Sequence, residues 1–135
     1  ELSVETLQGL GLRQQELAAG VLPSEAVQQL LRFVGAGPLV GYFLEFHIAM
    51  IDRIARPLLG VGLPQPRIDV SALYYEHRFR QLPLHQQNER ADIDLRFASI
   101  VAQLGLPPRP LNGALEQAVM AALAFVKLRA LRAAD

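Results

Sequence analysis

The stretch Pro38-Leu39-Val40-Gly41-Tyr42-Phe43-Leu44-Glu45-Phe46-His47 constrains the chain most. It opens on an apolar run with no polar alternation, the pattern of a strand covered on both faces. It then passes without a loop into residues 44 to 59, where Ile48, Ile51, Ala55 and Leu58 recur at helical spacing while Asp52, Arg53 and Arg56 fall toward the other side. Strand 38 to 43 followed at once by helix 44 to 59, with Pro57 bending or shortening the last turn, is the start of a parallel α/β unit.

The second half of that unit follows a Gly/Pro loop, Gly60 to Pro66. Arg67 to Val70 is expected as a short second strand, and Ser71 caps a helix holding Leu73, Tyr74 and Phe79. Upstream, Ser3 caps a short helix over 3 to 9, Gly11-Leu12 breaks the chain, and Arg13 to Ala19 forms a further turn. Pro23-Ser24-Glu25 opens a clearer helix to Val34, with Val27, Leu30, Leu31 and Val34 on one face. Downstream, Gln81 to Arg90 lacks apolar anchors and reads as a mobile loop. Asp92 is expected to cap a helix from Ile93 to Leu104 with Leu95, Ile100 and Val101 inward. Three prolines keep 106 to 111 extended, and Gly113 to Ala133 is the long last helix. Its apolar run from Ala118 to Val126 predicts burial on nearly all sides. Lys127, Arg129 and Arg132 complement the dipole at its end, a reading preferred over a nucleic-acid patch.

The 135 residues suit one domain, 1 to 135. Hydrophobic residues make up 51 % and charged ones 19 %, with mean hydropathy +0.21. That excludes a disordered chain and predicts that an outside surface covers some apolar area. No run approaches the roughly 18 to 20 apolar residues of a membrane helix, and no secretory signal is read, so no membrane partner and a cytoplasmic location are expected. Thirteen basic and 13 acidic side chains leave no net charge, which argues against a dedicated nucleic-acid binder. Without cysteine there is neither disulfide nor thiolate metal site. The chain opens on Glu1 rather than methionine, which predicts that the natural protein starts upstream.

Three segments carry a resemblance: Gly11-Leu12 through Val34, Leu39-Val40-Gly41 through Phe46-His47, and Leu111 to Ala122 with Ala114-Leu115 and Ala118. In order and wording they resemble the DnaQ-like proofreading 3'-5' exonuclease family, of ribonuclease H-like fold, whose type member is the epsilon subunit of bacterial DNA polymerase III. The resemblance implies an α/β exonuclease fold that is helix-rich and, here, lacks its first strands. It also implies two Mg²⁺ or Mn²⁺ ions held by four carboxylates, with a histidine activating water. The family's third carboxylate would stand at His47, its histidine at Asn112 and its fourth carboxylate at Gln117. None of these three residues supplies a negative charge, and hard dications need anionic oxygens. The acidic first motif is absent.

His47, Asn112 and Gln117 are therefore vestigial positions, no catalytic residue is retained, and no cofactor is expected. Each also has a structural reading. His47 can be a satisfied histidine at the edge of the core, Asn112 the N-cap of the last helix, and Gln117 and Glu116 solvated helix residues. A zinc site through His47, His77 and His85 is a weaker alternative. Glu45 lies near the lost site but points away from it, and Asp69 lies at the end of the second strand, where sheets present functional groups. The expected function is an inactive exonuclease-like module kept for binding or assembly, with weak binding of single-stranded nucleic acid. A strand 38 to 43 lacking its neighbour needs an upstream segment, a second copy giving a homo-oligomer, or another protein along its edge. The alternatives are an active metal-dependent exonuclease whose acidic motif lies upstream of residue 1, and a structural dimerisation domain.

Overall fold

A computed structural model describes residues 3–10 and 12–134. Among the described residues seven α-helices and two strands follow in the order α1 (Val4–Gly9), α2 (Gln14–Ala18), α3 (Pro23–Val34), β1 (Leu39–Gly41), α4 (Leu44–Leu59), β2 (Arg67–Asp69), α5 (Val70–Gln81), α6 (Phe97–Gln103) and α7 (Ala114–Ala133). The break expected at Gly11 lies outside the described residues. The chain is a helix-rich α/β protein whose sheet has two parallel strands, with Leu39 opposite Arg67, Val40 opposite Ile68 and Gly41 opposite Asp69. No described helix is long and apolar enough to cross a membrane.

The strand run, apolar on both faces, divides its side chains between two cores, since alternate residues of a strand point to opposite faces. Leu39 packs with Val27, Leu44, Ile48, Ala55 and Leu63, between the sheet and the α3–α4 pair. Val40 packs on the other side with Val70, Tyr74, Ile100, Leu104, Ala121, Ala124 and Leu128, supplied by α5, α6 and α7. Leu39 N–H donates to Pro66 O at 2.8 Å, which turns Leu39 and Gly41 toward β2. Val40 N–H and C=O therefore face the opposite edge, with no backbone partner among the described residues.

Several expectations are corrected. The strands are shorter, 39–41 rather than 38–43 and 67–69 rather than 67–70. α5 is capped by Asp69, not Ser71: the Asp69 carboxylate accepts from Ser71 N–H, so the helix begins two residues earlier. α6 starts at Phe97 rather than Ile93, because Asp94 and not Asp92 organises its entry. Asp94 accepts from Arg96 N–H at 3.0 Å and from Ser99 Oγ at 2.7 Å. These donors and the Arg96 guanidinium, which contributes most, hold the Asp94 carboxyl far below the usual carboxylate range. Gln81 to Arg90 contains a single 3-10 turn, Leu84–Gln86, tied to the end of α5 by Gln87 Nε2, which donates to Leu82 O at 2.7 Å.

Leu58 is turned outward rather than into the core. The helix does run through Pro57 to Gly60, whose φ of 77° closes it in the left-handed region. The last helix is not buried all round. Met120, Ala121, Ala124 and Leu128 form its inner face, while Leu115, Leu123 and Val126 stand in solvent. An apolar run identifies a helix but says nothing about how many faces find a partner.

Candidate functional site

Two places concentrate chemistry. One lies at the C-terminal ends of the strands, where open α/β sheets place their ligands. β1 leaves the sheet through Tyr42 and enters α4 through Phe43, whose φ of 46° and ψ of 53° lie in the left-handed region that non-glycine residues avoid. What holds it there is Asp69, at the end of the neighbouring strand. Asp69 Oδ1 accepts from Phe43 N–H at 3.1 Å, Ser71 N–H at 2.9 Å and Ser71 Oγ at 2.7 Å, and Oδ2 accepts from Leu44 N–H at 3.2 Å. One carboxylate thus caps two helices, α4 across the sheet and α5 on its own chain. Tyr42 beside it stacks on Phe97 with ring centroids 4.5 Å apart and donates its hydroxyl to Leu95 O. Burial raises the Tyr42 phenol above its ordinary pKa.

The residues singled out in the sequence do not gather around this carboxylate. His47 is exposed on the first turns of α4, its ring edge-on to Phe46 at 5.9 Å, and so is a surface residue rather than one at the edge of the core. Glu45 is also exposed and faces Arg67, at 3.2 Å. Asn112 is exposed and does not cap α7. That position belongs to Gly113, which offers no side chain, because the helix starts one residue later than an Asn112 cap requires. Gln117 is exposed and its Nε2 donates to Leu111 O, closing the chain just before α7. No bond links His47, Asn112 and Gln117 among the described residues, and no described group of three His, Cys, Asp or Glu side chains could hold a metal ion. His77 pairs with Gln81 and His85 with Gln86, each at 3.3 Å.

The second place was foreshadowed only by Arg129 and Arg132, which the sequence assigned to the dipole of the last helix. α5 and α7 lie side by side and point the same way. Val70 and Tyr74 early in α5 share a core with Ala121 and Ala124, and Gln81 at its end faces the same groove as Arg132. Between them is a groove of about 590 Å³. Ile68, Leu73, Phe125 and Leu128 form its apolar floor. Its rim carries Glu76, His77, Arg80, Gln81, Arg129 and Arg132. Arg80 is paired with Glu76. Arg129 lies over the Phe125 ring, 5.8 Å from its centroid. Arg129 and Arg132 make no ion pair with any described residue. The sequence signal for this site was a basic residue in each of two helix ends, and only the parallel packing of those ends turns it into one surface.

The chain matches no protein-family model, no curated protein and no solved structure. The exonuclease resemblance rests on the wording of its motifs.

Proposed function

We propose that this chain is a DnaQ-like exonuclease module of ribonuclease H-like ancestry that no longer hydrolyses phosphodiesters and is kept for binding and assembly. One observation carries the reading: the Asp69 carboxylate, at the strand ends where such an enzyme works, is occupied by four donors of its own chain. The nearby carboxylate of Glu45 is turned to Arg67, and the family's three remaining positions hold His47, Asn112 and Gln117. Two dications around a phosphate require several anionic oxygens free to coordinate. Asp69 is the wrong kind of carboxylate for that task, because moving it onto a metal uncaps two helices.

The assembly half of the reading is supported by what the strand-to-helix unit leaves uncovered. The Val40 amide and carbonyl face an edge with no backbone partner among the described residues, and Phe43, Phe46 and Met50 form an apolar stripe along α4 that is 48 %, 68 % and 54 % exposed. An added strand from an upstream segment or a second copy satisfies the edge.

The test is a titration of Mn²⁺ into the chain, followed by incubation with a labelled single-stranded oligonucleotide. No two-site Mn²⁺ binding and no cleavage are expected, with at most a weak gel shift of the oligonucleotide. Cleavage that disappears with His47→Ala while the helical content stays unchanged would defeat the proposal and restore the active-enzyme reading.

A further inference from the structure

The groove between α5 and α7 is unused by the reading above. Its chemistry is specific in what it lacks as much as in what it offers. The floor is aliphatic apart from Phe125. The polar groups of the α5 rim have partners already: Glu76 and Arg80 with each other, His77 with Gln81. A nucleobase reads its site through a pattern of donors and acceptors, and this rim presents no such pattern to spare. What remains are the guanidinium groups of Arg129 and Arg132 on the α7 side. The rim of the groove carries three cations, Arg80, Arg129 and Arg132, against one carboxylate, Glu76. In a chain with no net charge that is a local excess, and it borders an apolar trough within the range of about 300 to 1,000 Å³ typical of small-molecule sites.

We propose that this groove binds a small amphiphile: a saturated hydrocarbon chain ending in one anionic head, carboxylate or phosphate. The hydrocarbon lies on Ile68, Leu73, Phe125 and Leu128. The head meets Arg129 and Arg132, whose planar forks donate two hydrogen bonds at once to either kind of anion. Charge complementarity favours this occupant over an uncharged or cationic one, and the missing hydrogen-bond pattern favours it over a nucleotide.

Isothermal titration of the chain with decanoate and with decyl phosphate, below their micellar concentrations, tests the proposal. Amide shift mapping by NMR locates the contact. Saturable one-to-one binding by at least one of them is expected, with shifts centred on α5 and α7. Affinity should fall about fourfold per methylene removed, as the transfer of a CH₂ group requires. Arg129→Gln and Arg132→Gln should each weaken binding about tenfold or more, the worth of one charged hydrogen bond. Preference for decyl phosphate identifies a phosphate-headed lipid or ester, and preference for decanoate a free acid. Equal binding by decyltrimethylammonium, shifts outside the groove, or no saturable binding overturns the assignment. So does a dimer in sedimentation velocity that Arg129→Gln dissolves, because the groove is then an interface between copies. Oligonucleotide-induced shifts on α5 and α7 without amphiphile binding overturn it equally.

Discussion

Replacing Asp69 separates a structural carboxylate from a chemical one. Asp69→Ala removes the acceptor for Phe43 N–H, Leu44 N–H, Ser71 N–H and Ser71 Oγ in a single step. Loss of one N-cap costs about 0.5 to 2 kcal/mol, and two helices lose theirs here. The left-handed Phe43 also loses the contact that fixes it. Together these predict about 2 to 4 kcal/mol of destabilisation. Asp69→Asn keeps one acceptor oxygen, so it satisfies the donors grouped on Oδ1 and orphans Leu44 N–H. About half the loss is expected, roughly 1 to 2 kcal/mol. Urea unfolding followed by far-ultraviolet circular dichroism measures both, provided the slope with denaturant is unchanged. A loss below about 0.5 kcal/mol for Asp69→Ala refutes the double-cap assignment. Asp69 would then be free to coordinate a metal ion, and an active site at the strand ends would be possible again.

The other predictions concern separate parts of the molecule. Tyr42→Phe leaves Leu95 O without its donor and should cost about 0.5 to 1.5 kcal/mol at neutral pH. Because burial raises the Tyr42 phenol, its contribution is present below the unfolded value near 10 and is lost as pH climbs through the folded one. The variant should therefore lose less stability than the parent across that alkaline window, read as melting temperature against pH, with Tyr74 supplying the remaining slope for the same reason. Ile100→Ala, at a fully buried position between α5, α6 and α7, should cost about 2 to 5 kcal/mol in the same urea assay. Phe46→Glu with Met50→Glu should leave the fold intact and convert any dimer to monomer in sedimentation velocity. A dimer that survives the pair of charges places the interface elsewhere.

The elements legible in the sequence were those whose periodicity and punctuation agree. Pro23 and Gly35 bracket α3, and Gly60 ends α4 where the helical spacing of Ile48, Ile51 and Ala55 stops. Less legible were features decided by an acceptor distant in the chain. Asp69 lies 26 residues from Phe43, and nothing near Tyr42-Phe43-Leu44 announces that a carboxylate from the next strand will hold a left-handed turn there. Asp92 and Asp94 are equivalent as local signals. The second wins because its oxygens meet both Arg96 N–H and Ser99 Oγ. The α5–α7 groove was hidden for a similar reason. Arg129 read only as a complement to the dipole of its own helix, and only the side-by-side alignment of two helix ends sets it on one rim with Arg80.

Leu39 and Val40 are consecutive residues, yet they belong to separate apolar bodies on opposite sides of a sheet three residues long. The Asp69 carboxylate spans them, taking donors from the start of α4 on one side and of α5 on the other, so the two bodies open separately only where those bonds break. The α3–α4 side has fewer neighbours to replace its lost contacts, and its amides should exchange with deuterium ahead of those in α5 and α7. A chain built this way resembles two leaves on a narrow spine, and whatever lies along β1 stiffens the binding.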